Sequence, residues 1–118
     1  MTPDEIIRIA LEETGIPHDE GVYNGKKDKY ITYVEADQIP YMYVDNAPTE
    51  EKTFYQVHYF CPMHPREEDD SRSVTRKIRK VLQKHDFCIT RTRRTFDEMR
   101  HVIIECNLIT QSEEREDI

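Results

Sequence analysis

The chain has 118 residues, 36% of them apolar and 35% charged, with a formal net charge of −7. One domain of this length buries about two-thirds of its unfolded surface, enough for one modest core. The excess of acid argues against free binding to nucleic acid, and no run of about 18 apolar residues is present to span a membrane.

Thr2-Pro3-Asp4-Glu5 opens a helix, with Thr2 as cap, Pro3 at the first helical position and Glu5 three residues after the cap. Ile7, Ala10, Leu11 and Thr14 then share one face, and Gly15 and Pro17 end the element. This acidic, amphipathic start is not a signal peptide. Val22-Tyr23 reads as a short strand before an Asn24-Gly25 turn, and Tyr30 to Glu35 as a β-branched, aromatic strand. Ala36 to Glu51 carries two prolines and little alternation, and is expected to be a long loop of the functional or mobile kind.

Lys52 to Cys61 is the strongest strand signal. Tyr55, Val57, Tyr59 and Cys61 share one face and Phe54, Gln56, His58 and Phe60 the other, so an interior strand covered on both sides is expected. Pro62 and Pro65 end it. A helix follows, capped by Asp70 or Ser71, with Val74, Ile78, Val81 and Leu82 as its apolar stripe and Asp86 near its C-cap. Phe87 to Thr95 and Arg100 to Thr110 then form a hairpin. The order α-β-β-β-α-β-β predicts an α+β fold: one domain over 1–110, with an antiparallel or mixed sheet of four to five strands against two helices. An acidic tail over 111–118 is expected to fray.

The three cysteines, Cys61, Cys88 and Cys106, are odd in number and scattered, which argues for a reducing, intracellular origin. Cys61, Met63 and His64 offer thiolate, thioether and imidazole, the donors of a Cu(I) or Zn(II) site. The local pattern resembles the YxCPMHP signature of heavy-metal-binding modules at the ends of copper transporters. Those modules need a second CPxCGM-type cluster, and no cysteine follows here until Cys88. The competing reading is a strand end and a proline-bounded turn, and a soft-metal module is the alternative function. A Cys–His nucleophilic pair from Cys61 or Cys88 with His58, His64, His85 or His101 rests on residue availability alone. Three glycines leave no phosphate loop, so no catalytic residue and no cofactor is assigned. The carboxylate pairs lie on solvated faces or in the tail.

The basic residues are gathered in one third of the chain. Arg72, Arg76, Lys77, Arg79, Lys80 and Lys84 lie on the second helix, and Arg91, Arg93 and Arg94 on the next strand. They are a solvated face, a contact for an acidic partner such as the acidic first helix or tail of another copy, or a contact for nucleic-acid phosphate, a reading without the interleaved exposed aromatics or known motif that would support it. With Tyr41, Tyr43 and Asp45 of the expected loop, Arg76, Arg79, Lys80, Arg91 and Arg93 are the candidate contact residues.

Six features in order and spacing resemble a known family. They are Thr14-Gly15-Ile16-Pro17, Tyr30-Ile31-Thr32-Tyr33, the long loop with Val44-Asp45, Tyr55-Gln56-Val57-His58, the helix from Val74 to Leu82 leading to His85-Asp86-Phe87, and His101-Val102-Ile103-Ile104. The pattern is similar to the tail-completion, or tail-terminator, proteins of long-tailed phages and prophages, over nearly the whole chain. The resemblance implies a non-enzymatic structural protein without cofactors. Such proteins form homo-hexameric rings that cap the tail tube, stop its polymerisation and meet the head-completion or connector protein. The implied partners are other copies, the tail tube protein and the connector, with no membrane and no sequence-specific nucleic acid. The implied location is the head end of the virion's tail, and the bacterial cytoplasm during assembly. The Ala36 to Glu51 segment would be an arm reaching a neighbour or the tube. Two departures stand out: the family commonly has a small residue and Gly where this chain has His85-Asp86, and it usually lacks CPMHP.

Overall fold

In the computed structural model, residues 1–63, 67–96 and 98–111 are described. Helix α1 (Pro3–Glu12) precedes β1 (His18–Glu20), β2 (Tyr30–Val44) and β3 (Ala47–Pro62); helix α2 (Glu67–Lys84) leads to β4 (Cys88–Phe96) and β5 (Met99–Gln111). The strands form one sheet in the order β1-β2-β3-β5-β4. β1 runs parallel to β2, and every other neighbouring pair is antiparallel. The fold is therefore α+β with a mixed five-stranded sheet and two helices, as the order of elements predicts. Of the tail expected over 111–118, Gln111 is instead the last residue of β5, and 112–118 lie outside the described residues.

The capping box forms as expected. Glu5 N donates to Thr2 Oγ1 at 3.3 Å, and Thr2 N donates to Glu5 Oε1 at 3.4 Å. Ile7, Ala10, Leu11 and Thr14 are all buried, and Gly15 takes the left-handed conformation. On β3 the residues Thr53, Tyr55, Val57, Tyr59 and Cys61 are buried in alternation. They meet Ile31 and Tyr33 of β2, Val102, Ile104, Cys106 and Leu108 of β5, and the apolar faces of both helices. The Tyr55 hydroxyl donates to the Asp4 carboxylate, and its ring edge meets Phe87 at 6.1 Å between centroids. Burial, then the Asp4 carboxylate, holds the Tyr55 phenol far above its ordinary titration range.

Four local expectations are corrected. The segment from Ala36 to Glu51 is not a loop: β2 runs on to Val44, Asp45 and Asn46 make the turn, and β3 starts at Ala47. Both turn residues have positive φ, 52° and 64°, the signature of a two-residue type I′ hairpin. Helix α2 starts at Glu67, so Asp70 and Ser71 are inside it rather than capping it. Among the described side chains, its buried stripe includes the small residues Ser71 and Thr75 as well as Ile78 and Leu82. The first strand is His18–Glu20 rather than Val22-Tyr23, and Asn24-Gly25 joins no hairpin because β1 and β2 are parallel. Both helices pack on the face of β3 that carries Tyr55; the face with Phe54, Gln56, His58 and Phe60 is only half-buried.

The end of α2 is a Schellman motif: Phe87 N donates to Leu82 O at 3.0 Å and Asp86 N to Gln83 O at 3.1 Å. Asp86 occupies its left-handed position at φ 70°, the place where glycine carries no Cβ penalty. Asp86→Gly should therefore stabilise the protein by about 1 kcal/mol and raise its thermal midpoint by about 4 °C. A calorimetric scan showing no gain, or a loss, would count against this geometry.

Candidate functional site

The longest dimension of the molecule is 56 Å against 25 and 23 Å, and the far end of the β2–β3 hairpin accounts for the excess. Among the described residues β5 meets β3 as far as Glu50, which lies opposite Met42 of β2, and β1 meets β2 at Ile31 to Tyr33. From Pro40 to Glu51 the ends of β2 and β3 form an arm that, among the described residues, is backed by β5 as far as Met42 and is two-stranded from Tyr43 to Pro48 around the turn. Two bulges in β2 interrupt its register, between Glu35 and Asp37 and between Pro40 and Met42. The arm is apolar and exposed: Tyr41 is 49% accessible, Met42 50%, Tyr43 60% and Val44 47%. Exposed apolar side chains gathered in this way make the arm a candidate for contact with another surface.

The eight candidate contact residues fall into three places. Tyr41, Tyr43 and Asp45 sit at the end of the arm. Arg76, Arg79 and Lys80 are exposed on α2. Arg91 and Arg93 lie on β4, the last strand of the sheet on the side away from β2. Arg93 reaches Glu105 at 3.4 Å, and Arg94 donates to Ser71 Oγ at 3.1 Å, which ties β4 to α2. The basic stretch is not wholly available to partners. Lys77 Nζ donates to Thr14 O at 2.8 Å, and Lys84 and His85 both reach the Glu13 carboxylate at 3.0 Å. Bonds from Lys84 and then His85 hold that carboxyl below its ordinary value. Part of the acidic first helix is thus matched inside the molecule.

Of the soft-metal candidates, Cys61 is 1% exposed within the core, whereas Met63 is 43% exposed; His64 lies outside the described residues. Among the described residues no three His, Cys, Asp or Glu side chains converge as ion ligands. Cys106 is also buried, which pushes its thiol up to about 12, while Cys88 is exposed.

One arrangement is invisible in the sequence. On the face without helices, Tyr23 stacks on Tyr30 at 4.4 Å, Tyr30 on Phe60 at 4.9 Å, and Phe60 on His101 at 4.2 Å. His58 Nδ1 and His101 Nε2 share a hydrogen bond of 2.6 Å, so one ring donates and the other accepts. Register across β3 and β5 makes this cluster, since Phe60 lies opposite His101. The only signal in the sequence is that His58 and Phe60 share a strand face.

A comparison with known protein families and with curated proteins finds no match to this chain.

Burial, then His101 and Arg93, lowers the His58 pKa below its ordinary 6.5. The unfolded chain takes up that proton more readily, so stability is full above the unfolded value and falls as pH drops below it. His58→Phe keeps a stacking ring and removes the titration. Urea midpoints compared at about pH 7.5 and about pH 5.5 should differ less in the variant than in the parent. An unchanged acid-side loss would place its origin elsewhere.

Proposed function

We infer that this chain is a structural assembly protein of the tail-terminator kind. In this reading it forms an oligomeric ring, caps the end of a phage tail tube, halts its polymerisation and presents a surface to the head connector. The observation that carries the reading is the arm, which exposes Tyr41, Met42, Tyr43 and Val44 well away from the core they would otherwise join. A small domain has little reason to keep such a strip in water unless another surface covers it. The segment that the family resemblance makes an arm is also the segment that projects. The charged surfaces fit the same reading, because an acidic and a basic region on one chain favour head-to-tail contact between copies.

Deletion of 41–48 should abolish capping of tail tubes polymerised from a tail tube protein of the same genome. Tyr41→Ser with Tyr43→Ser should weaken capping about tenfold or more. Far-ultraviolet circular dichroism and the thermal midpoint should change little, since the arm contributes no residue to the core. Tubes of unchanged length distribution with the parent protein present, or unchanged capping by the variants, would overturn the reading.

A further inference from the structure

The two sides of the sheet end differently. On one side β2 is partnered by β1 only at Ile31 to Tyr33, so from Val34 its outer edge carries no strand among the described residues. On the other side β4 is last in the sheet. Unpaired edges are templates for further pairing, and folded proteins ordinarily guard them with charge, proline or bulges. Both edges carry charge, of opposite sign. From Tyr30 to Glu51 the chain has Glu35, Asp37, Asp45, Glu50 and Glu51 and no Lys or Arg; from Phe87 to Phe96 it has Arg91, Arg93 and Arg94 and no Asp or Glu. Glu35 is already among acids: its pKa is raised by burial and then by Asp4, Glu20 and Asp37. Like edges therefore repel and unlike edges attract.

We propose that the β2 edge of one copy pairs with the β4 edge of the next, extending one antiparallel sheet from subunit to subunit. This inference rests on the ring reading above and assigns its subunit contact. Three features specify the pairing. First, strand direction alternates along β2, β3, β5 and β4, so β4 is antiparallel to β2. A neighbour turned about an axis along the strands continues the ladder without a break. Second, side chains of matching sign share faces. Asp37 lies opposite Phe54 and Arg93 opposite Ile103, both on the face without helices; Glu35 lies opposite Tyr55 and Arg94 opposite Val102, both on the helix face. Setting Glu35 against Arg94 and Asp37 against Arg93 leaves Ala36 as the extra residue, and β2 already has a bulge between Glu35 and Asp37. Third, the free stretch is bounded. β1 closes it before Val34, and Pro40, which has no N–H to give, stops it after Ile39. The contact is heterologous, so it runs head to tail and closes into a ring where the rotation allows.

The test is an engineered disulfide in the full chain. Asp37→Cys and Arg93→Cys are combined in a Cys88→Ser background, with Cys61 and Cys106 left in the core. Within one copy the two positions are three strand spacings apart, about 14 Å, too far for a disulfide. Oxidation should give a ladder of covalent multimers, whereas either single cysteine can give at most a dimer. Because Arg93 also reaches Glu105, a second variant guards against a folding defect: Arg91→Glu, on an exposed side chain, should weaken self-association about tenfold by light scattering. Oligomers that form without the ladder would overturn the edge contact and leave the ring reading standing. A monomer at every concentration would also overturn it, and the ring reading is then decided separately by tube capping.

Discussion

A strand of 16 residues at about 3.3 Å per residue is about 53 Å long, while a helix of 18 residues at about 1.5 Å per residue reaches only about 27 Å. β3 is that strand and α2 that helix, and the 56 Å length of the molecule is close to the length of β3. α1 has only 10 residues and packs on the same face. The helices can therefore cover about half of one side of the sheet. The covered half becomes the core, the opposite face collects half-buried rings and charges, and the uncovered end becomes the arm.

Within the covered half, Tyr55 is the point where the layers meet. Its hydroxyl needs a partner, because a buried hydroxyl left without one costs about 1–3 kcal/mol. Asp4 in the first turn of α1 supplies it, and Phe87 just after α2 closes on the ring. At the other ends of the helices, Glu13 draws in Lys84 and His85. One helix start and two helix ends are thus fixed by polar contacts around an apolar interior. The two helices consequently sit as a rigid cover, and variation in the arm need not be felt in the core.

The parts of this fold that are legible in the sequence are those governed by burial and local chemistry. The capping box at Thr2 and Glu5, the stripe of α1 and the alternation from Thr53 to Cys61 all report which side faces the core. The arm was illegible for the same reason. Period-two alternation arises from one wet and one dry face, and Ala36 to Val44 is exposed on both. Its turn uses Asp45-Asn46 in place of the more usual Asn-Gly, and Pro40 and Pro48 argue against strands except where an edge or an overhang tolerates them. β1 is three polar residues whose only structural reason is a parallel neighbour ten or more residues away. The His58–His101 pair and the two complementary edges depend on register between distant strands, which no local window contains. The candidate contact residues are legible as residue types, but their division among arm, helix and edge requires the topology.

An arm held by backbone hydrogen bonds, with no helix above it, is thermodynamically separable from the domain that bears it. Isolated two-stranded hairpins are marginal in water, and segments with few buried apolar contacts open locally at a free energy far below that of global unfolding. The conformational order of the arm is then set by whatever it lies against. A single docking event must include the free energy of ordering the ribbon, so solitary encounters are weak and short-lived. In the ring proposed above, arms held side by side would be ordered together, and each would dock at the high effective concentration set by its neighbours. In the proposed ring, commitment would be a collective property: subunits would sample a surface reversibly one at a time and remain only when several arrive as a set.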